Sequence, residues 1–224
     1  MASVWVLNLA LILRLAIICA LAAGIGFAQN QEGALGIFES GSDVGAVRIP
    51  GAADFDPASG RYTVTGSGEN MWFAADAFHF VWKKLSGDFR IAADIAFVGE
   101  GKNAHRKGVL MVRQSLDADA AYADIAIHGD GLTSMQFRGG KGTNTQELQF
   151  GRPAPARVEL VRQGNLLFVR IDGEEMRAGD RPIRMENFLR GEVYVGLGVC
   201  SHEVDVAETV IFSNVVLENA APPQ

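Results

Sequence analysis

The chain reads as a succession of short runs in which apolar and polar residues alternate. "RYTVTG", "FHFVWKK", "DFRIAADIAFV", "KGVLMVRQ", "YADIAIH", "LTSMQFR", "TQELQF", "RVELVRQ", "LLFVRID", "EVYVGLGVC" and "ETVIFSNVVL" are rich in β-branched and aromatic residues, and Gly, Asn, Asp or Pro separates them. Alternation with period 2 sends successive side chains to opposite faces of a sheet. Eleven such runs, with no segment carrying clear helix caps, predict an all-β fold: an antiparallel two-sheet sandwich. "SLDADAAYAD" comes nearest to a helical turn, but Asp117 and Asp119 mark it as a loop between strands.

The stretch "AYADIAIHGDGLTSMQFR", residues 121–138, carries its own register. A loop of two or four residues would put Tyr122, Asp124 and His128 on one face with Met135 and Phe137, mixing charge with core. A three-residue loop of Gly129, Asp130 and Gly131 instead aligns Ala123, Ile125 and Ile127 with Thr133, Met135 and Phe137. Tyr122, Asp124, His128, Ser134, Gln136 and Arg138 then share the other face. Arg113, at the end of "GVLMVRQS", and Asp94, out of phase with Ile91, Ala93 and Ile95, extend this polar field. The field reads either as the solvated face of an antiparallel sheet or as a ligand groove. In the groove reading, arginine and carboxylates hold sugar hydroxyls while Trp72 or Tyr122 stacks on the ring.

Residues 1–28 break the pattern. Arg14 is their only charged side chain, "LAIICALAAGIGF" is a short apolar run, and small residues precede Ala28, which together predict a cleaved signal peptide. Retention of the apolar stretch as a membrane anchor is the alternative. The expectation is therefore a periplasmic or secreted protein with one domain over 29–218 and a flexible tail over 219–224, and no membrane span once the signal is removed. Cys19 leaves with the signal, so Cys200 stands alone and stability rests on the core without a disulfide. A formal net charge of −6 and the lack of any Lys/Arg stripe argue against a nucleic-acid partner.

Three ordered segments carry a resemblance: "GVLMVRQSLDADAAYADIAIHGDGLTSMQFR", "RVELVRQGNLLFVRIDG" and "VYVGLGVCSHEVDVAETVIFSNV". Over residues 36–218 the chain resembles secreted bacterial domains of the concanavalin A-like lectin/glucanase superfamily. Such domains occur with sugar-processing enzymes and beside Tol-type propeller proteins. The resemblance implies a jelly-roll sandwich of two curved sheets with Arg113 pointing into the concave face. It leaves the ligand open.

Glu203, Asp205 and Glu208 in "EVDVAE" reproduce the E-x-D-x-x-E spacing of retaining glucanases of this fold, in which acidic residues on one strand supply nucleophile and general acid. Their place near the C-terminus, after "VGLGVCSH", speaks against that role, so they are weak catalytic candidates. His79, His105, His128 and His202 are scattered without metal-ligand spacing, so no metal site and no cofactor is expected. Structural calcium at Asp54/Asp56 or Asp117/Asp119 stays open. In "MWFAADAFHFVWKK", Phe78, Phe80 and Trp82 read as core, whereas Trp72 and His79 read as exposed. Glu69 and Asn70 stand at the end of the groove or cap it. The basic loop "GKNAHRKG" is either solvated or grips an acidic glycan.

These readings converge on an exported, non-catalytic module that recognises carbohydrate or a cell-envelope glycan on the concave face. Arg113 is expected to act as the clamp, Asp124 and Asp94 as hydroxyl acceptors, His128, Gln136 and Arg138 as the rim, and Trp72 or Tyr122 as the stacking surface. The alternatives are a glycoside-processing hydrolase using carboxylates or His128 in the same groove, and a scaffold that binds an envelope protein.

Overall fold

A computed structural model describes residues 34–153, 155 and 157–220, and the expected signal peptide lies outside them. The described residues contain no helix, and every one of the eleven alternating runs forms a strand. In chain order the strands are β1 (Ser40–Val44), β2 (Ala52–Asp56), β3 (Arg61–Gly68), β4 (Met71–Trp72), β5 (Ala75–Asp76), β6 (Phe78–Leu85) and β7 (Asp88–Phe97). There follow β8 (Lys107–Arg113), β9 (Tyr122–His128), β10 (Thr133–Arg138), β11 (Gln146–Phe150), β12 (Val158–Gln163) and β13 (Leu166–Ile171). Four short strands, β14 (Glu174–Glu175), β15 (Arg177–Ala178), β16 (Arg181–Pro182) and β17 (Arg184–Glu186), precede β18 (Val193–Cys200) and β19 (Glu203–Ala220). β19 thus runs two residues into the segment expected as a tail, and 221–224 lie outside the described residues.

Two antiparallel sheets form the jelly-roll sandwich. One has seven strands in the order β1-β6-β18-β8-β9-β10-β11, and the other has eight, with β14-β13-β12-β7-β19-β3-β2 in line and β17 beside β13. Between them lie Leu110, Val112, Ile125, Met135, Val195 and Leu197 of the first sheet and Ile91, Leu160, Val169, Val210 and Phe212 of the second, all fully buried. Each such side chain contributes about 1.5–3 kcal/mol. A core of this extent holds the fold with Cys200 buried and unpaired.

The β9–β10 register is the one the alternation predicts. Ile127 pairs with Thr133, Ile125 with Met135 and Ala123 with Phe137. Gly131 takes φ 88°, and the His128 N–H donates to the Leu132 carbonyl (2.9 Å), so the turn closes through a left-handed glycine.

The polar face opposite the core is dry. Tyr122, Asp124, Ser134 and Arg138 are 0% exposed, Gln136 1% and His128 3%, which excludes the solvated-face reading. Phe78, Phe80, Val109, Met111, Tyr122 and Ala126 form a second apolar cluster on this face, so Phe78 and Phe80 are core residues of this outer layer rather than of the space between the sheets.

The cover is the β4–β5 hairpin together with the loop 114–121. It lies so close that a Cβ on Gly45 would stand 1.9 Å from the Asp76 carbonyl oxygen. One carboxylate anchors it. Arg138 grips Asp76 with both terminal nitrogens (Nη1–Oδ2 2.9 Å, Nη2–Oδ1 2.6 Å), and Arg113 Nη1 stands 3.4 Å from Oδ2. The remaining guanidinium donors hold loop carbonyls. Arg113 donates to Ser115 and Asp117, and Arg138 to Phe73, Thr143 and Ala120.

Removing one member of a buried ion cluster strands the others. Asp76→Ala is therefore expected to lower the unfolding free energy by about 3–5 kcal/mol, read by denaturant titration; a loss below about 1 kcal/mol would show that the cluster does not hold the cover.

Candidate functional site

The cover leaves one part of the outer face open. There the start of β8, the end of β9, β10 and β11 meet the hairpin and the β18–β19 turn around a cleft of about 250 Å³. Its lining includes Asn70, Trp72, His105, Lys107, His128, Gln136, Glu147, Gln149 and His202. The pairings Lys107↔His128, Asp124↔Gln136 and Gln136↔Glu147 bring these side chains together from four adjacent strands.

Hydrogen bonds fix the orientation of each group. Lys107 Nζ donates to Asn70 Oδ1 (2.8 Å) and Gln136 Oε1 (3.1 Å) and stands 5.4 Å from the centre of the Trp72 ring. Because Asn70 Oδ1 also accepts from the Met71 N–H, the Asn70 amide nitrogen donates to His202 Nε2 (3.0 Å). His202 Nε2 is then the lone-pair nitrogen. His128 Nδ1 meets the Leu132 carbonyl at 3.0 Å, so Nδ1 carries the proton and Nε2 stands with its lone pair beside Gln136 Nε2, 3.5 Å away. Gln136 Nε2 donates to Glu147 Oε1 (2.9 Å), and Gln149 Nε2 donates to Glu147 Oε2 (2.8 Å).

The electrostatics follow from burial. Burial pushes the Lys107 ammonium below its usual range, opposed by attraction to Cys200, Asp124 and Glu147. Burial lowers His128 to about 4, helped by Lys107, and lowers His202, so both imidazoles are neutral at pH 7. Burial would raise Glu147, but hydrogen bonds from Gln149, Gln136 and Ser134 together hold its carboxyl low and ionised. Beneath them Asp124 is raised to about 8 by burial, against the pull of Lys107; its Oδ1 accepts the Gln136 N–H (3.3 Å), while Oδ2 has no partner. The cleft therefore presents lone pairs, amides and one carboxylate, with a protonated acid in the layer below.

Of the residues expected at the groove, His128, Gln136 and Trp72 line the cleft, and so does Asn70. Arg113 and Arg138 do not: both are fully buried and turned onto Asp76 and loop carbonyls, which corrects their assignment as clamp and rim. Tyr122 is no stacking surface, because it is fully buried with its hydroxyl donating to the Met71 carbonyl (3.2 Å). Asp94 belongs to β7 in the other sheet, where it pairs with Arg157 (2.8 Å) and Asn214 (2.6 Å). His79, expected exposed, is 5% exposed and bound to Asp43 (2.7 Å).

The acidic trio on β19 is dispersed. Glu203 accepts from Asn103, Asp205 pairs with Arg48 at the surface, and Glu208 pairs with Arg106 (2.7 Å) in a buried contact. None of the three lines the cleft. Asp117 and Asp119 share Lys141, and Asp56 accepts the Ala58 N–H. His105, His202, Lys107, Glu147 and Gln149 join the site although their spacing gave no signal; only the strand order β18-β8-β9-β10-β11 brings them together.

No family model and no curated protein matches the sequence. Solved structures do. A protein of unknown function from Saccharomyces cerevisiae is 16% identical with a TM-score of 0.57, over 81% of this chain and 97% of that one. A carbohydrate binding module, CBM66 from Bacillus subtilis, is 18% identical with a TM-score of 0.52, over 82% and 98%. An alginate lyase of polysaccharide lyase family 7 is 10% identical with a TM-score of 0.50, over 81% and 94%. At these identities the likeness shows the fold.

The buried acid makes stability depend on pH. The Asp124 carboxyl titrates near 8 when folded and near 3.8 otherwise, so folding favours its protonated form and its contribution is lost as pH rises towards 8. His128 acts in the opposite sense, losing stability as pH falls from 6.5 towards 4. Between pH 6.5 and 8 only the Asp124 effect of these two operates. In that window the melting temperature of the wild type is expected to fall relative to that of Asp124→Asn; parallel curves would contradict a protonated Asp124.

Proposed function

We propose that the protein is an exported, non-catalytic carbohydrate-binding module whose sugar sits in the cleft beside Trp72. The carrying observation is the composition of that cleft. A half-buried indole borders a set of fixed, mostly neutral donors and acceptors, which suits a ligand that is polar at its edge and apolar on its face. Glu147 and the Nε2 lone pair of His128 accept hydroxyl protons, while Gln149, whose side chain is exposed, donates and accepts. The two named neighbours of similar fold, a carbohydrate binding module and an alginate lyase, support a glycan as the first ligand class to test.

Binding is favoured over hydrolysis by access. Glu147 and Asp124 are held in opposite protonation states, as an acid/base pair requires. Asp124, however, is fully buried and does not line the cleft, so it cannot reach a glycosidic oxygen. Export rests on the character of residues 1–28.

A glycan array probed with the purified protein, Trp72→Ala and Glu147→Gln tests the reading. Both side chains are only partly buried, so both variants are expected to fold. The wild type is expected to retain one class of glycan and each variant to bind it about 10-fold more weakly or worse. Binding that neither substitution affects would place the site elsewhere. Release of new reducing ends from the bound glycan would overturn the non-catalytic assignment.

A further inference from the structure

The hairpin that bounds the cleft has a second side. Phe73, at its tip, takes φ 45°, a left-handed conformation that bulky side chains rarely adopt. Its ring is 69% exposed, so burial offers no compensation. The backbone is nevertheless forced into this shape. The Phe73 carbonyl accepts from Arg138 Nε (3.3 Å) and Nη2 (3.1 Å), and from the Thr145 N–H (2.9 Å) and hydroxyl (3.2 Å). The buried, Asp76-anchored arginine thus holds a strained turn whose visible outcome is an aromatic ring in water. Strain that the surroundings enforce is a feature of ligand-contacting segments.

Phe73 and Trp72 both border a hollow of about 530 Å³. Ala75, Ala118 and Val204 give it apolar walls, and exposed Glu69 stands at its rim. Asn70, Trp72 and His202 line both this hollow and the polar cleft, so the two adjoin at these side chains. The cleft alone, about 250 Å³, falls below the roughly 300 Å³ at which small-molecule sites begin.

We infer that the hollow bounded by Phe73 is a second subsite of the same site, taking the next sugar ring of a chain whose first ring sits in the cleft against Trp72. The ligand is then an oligosaccharide of two or more units, with the apolar face of the second ring against Phe73 and its hydroxyls towards Glu69. This rests on the carbohydrate reading above.

The test is calorimetric titration with monomer-to-hexamer ladders derived from β-glucan, mannan, fructan and alginate, using the wild type, Phe73→Gly and Glu147→Gln. Wild-type affinity is expected to rise between one and three units. Phe73→Gly is expected to abolish that gain, lowering affinity for the trimer about 3–10-fold, while its melting temperature stays level or rises, because glycine takes a positive φ freely. Ladder binding that depends on Glu147 but is flat with chain length, or is unchanged in Phe73→Gly, overturns the second subsite and leaves the carbohydrate reading standing. Failure of every ladder to bind overturns both.

Discussion

Everything on the outer face of the seven-stranded sheet depends on one carboxylate shared by two arginines out of contact with water. Asp76, Arg113 and Arg138 have side chains that are 0% exposed. Burial raises the Asp76 carboxyl and lowers the Arg113 guanidinium, in each case against the attraction of the partner. Such a cluster adds little net stability over an apolar one of the same shape, but it tolerates few geometries. Here that selectivity is used on loops. Guanidinium donors beyond Asp76 fix carbonyls of the β4–β5 hairpin, the loop before β9 and the loop after β10. The cover they hold closes most of the face and leaves the cleft beside Trp72.

The chemistry of that cleft follows from being partly closed. In open water His128 and His202 would titrate near neutrality and Asp124 would be ionised. Under the cover, burial makes the His128 and His202 imidazoles neutral and the acid protonated, and Lys107 is occupied by Asn70 and Gln136. The result is a surface of fixed dipoles with one accepting carboxylate. Such a surface discriminates by hydrogen-bond geometry more than by charge, which agrees with a hydroxyl-rich ligand.

Much of this was legible in the sequence. Alternation located the strands, and the length of the Gly129–Gly131 loop set the β9–β10 register, because a one-residue slip would have exchanged Ile125 for Asp124 in the core. Of the residues read as groove-facing, Trp72, His128 and Gln136 line the cleft, and so does Asn70. Alternation shows which face of its own strand a residue takes but not which sheet the strand joins, and so Asp94 was drawn into the polar field from the other layer. Nor does it show what lies on top. Arg113 and Arg138 read as solvated or ligand-facing because their true partner, Asp76, sits in a hairpin remote in the chain. His105 and His202 gave no spacing signal, and only the adjacency of β18, β8 and β9 unites them with His128. β1 and β2, "SGSDV" and "AADFD", escaped because they have few β-branched residues and depend on pairing with β6 and β3.

In this reading the arginines build the site while other residues touch the ligand. This division of roles is tested most directly by NMR of isotopically labelled protein titrated with the oligosaccharide that binds best. The Trp72 indole N–H and the imidazole signals of His105, His128 and His202 are expected to shift with ligand, while the Nε–H signals of Arg113 and Arg138 stay in place. Arginine signals that move first, with the Trp72 and histidine signals unchanged, would contradict it.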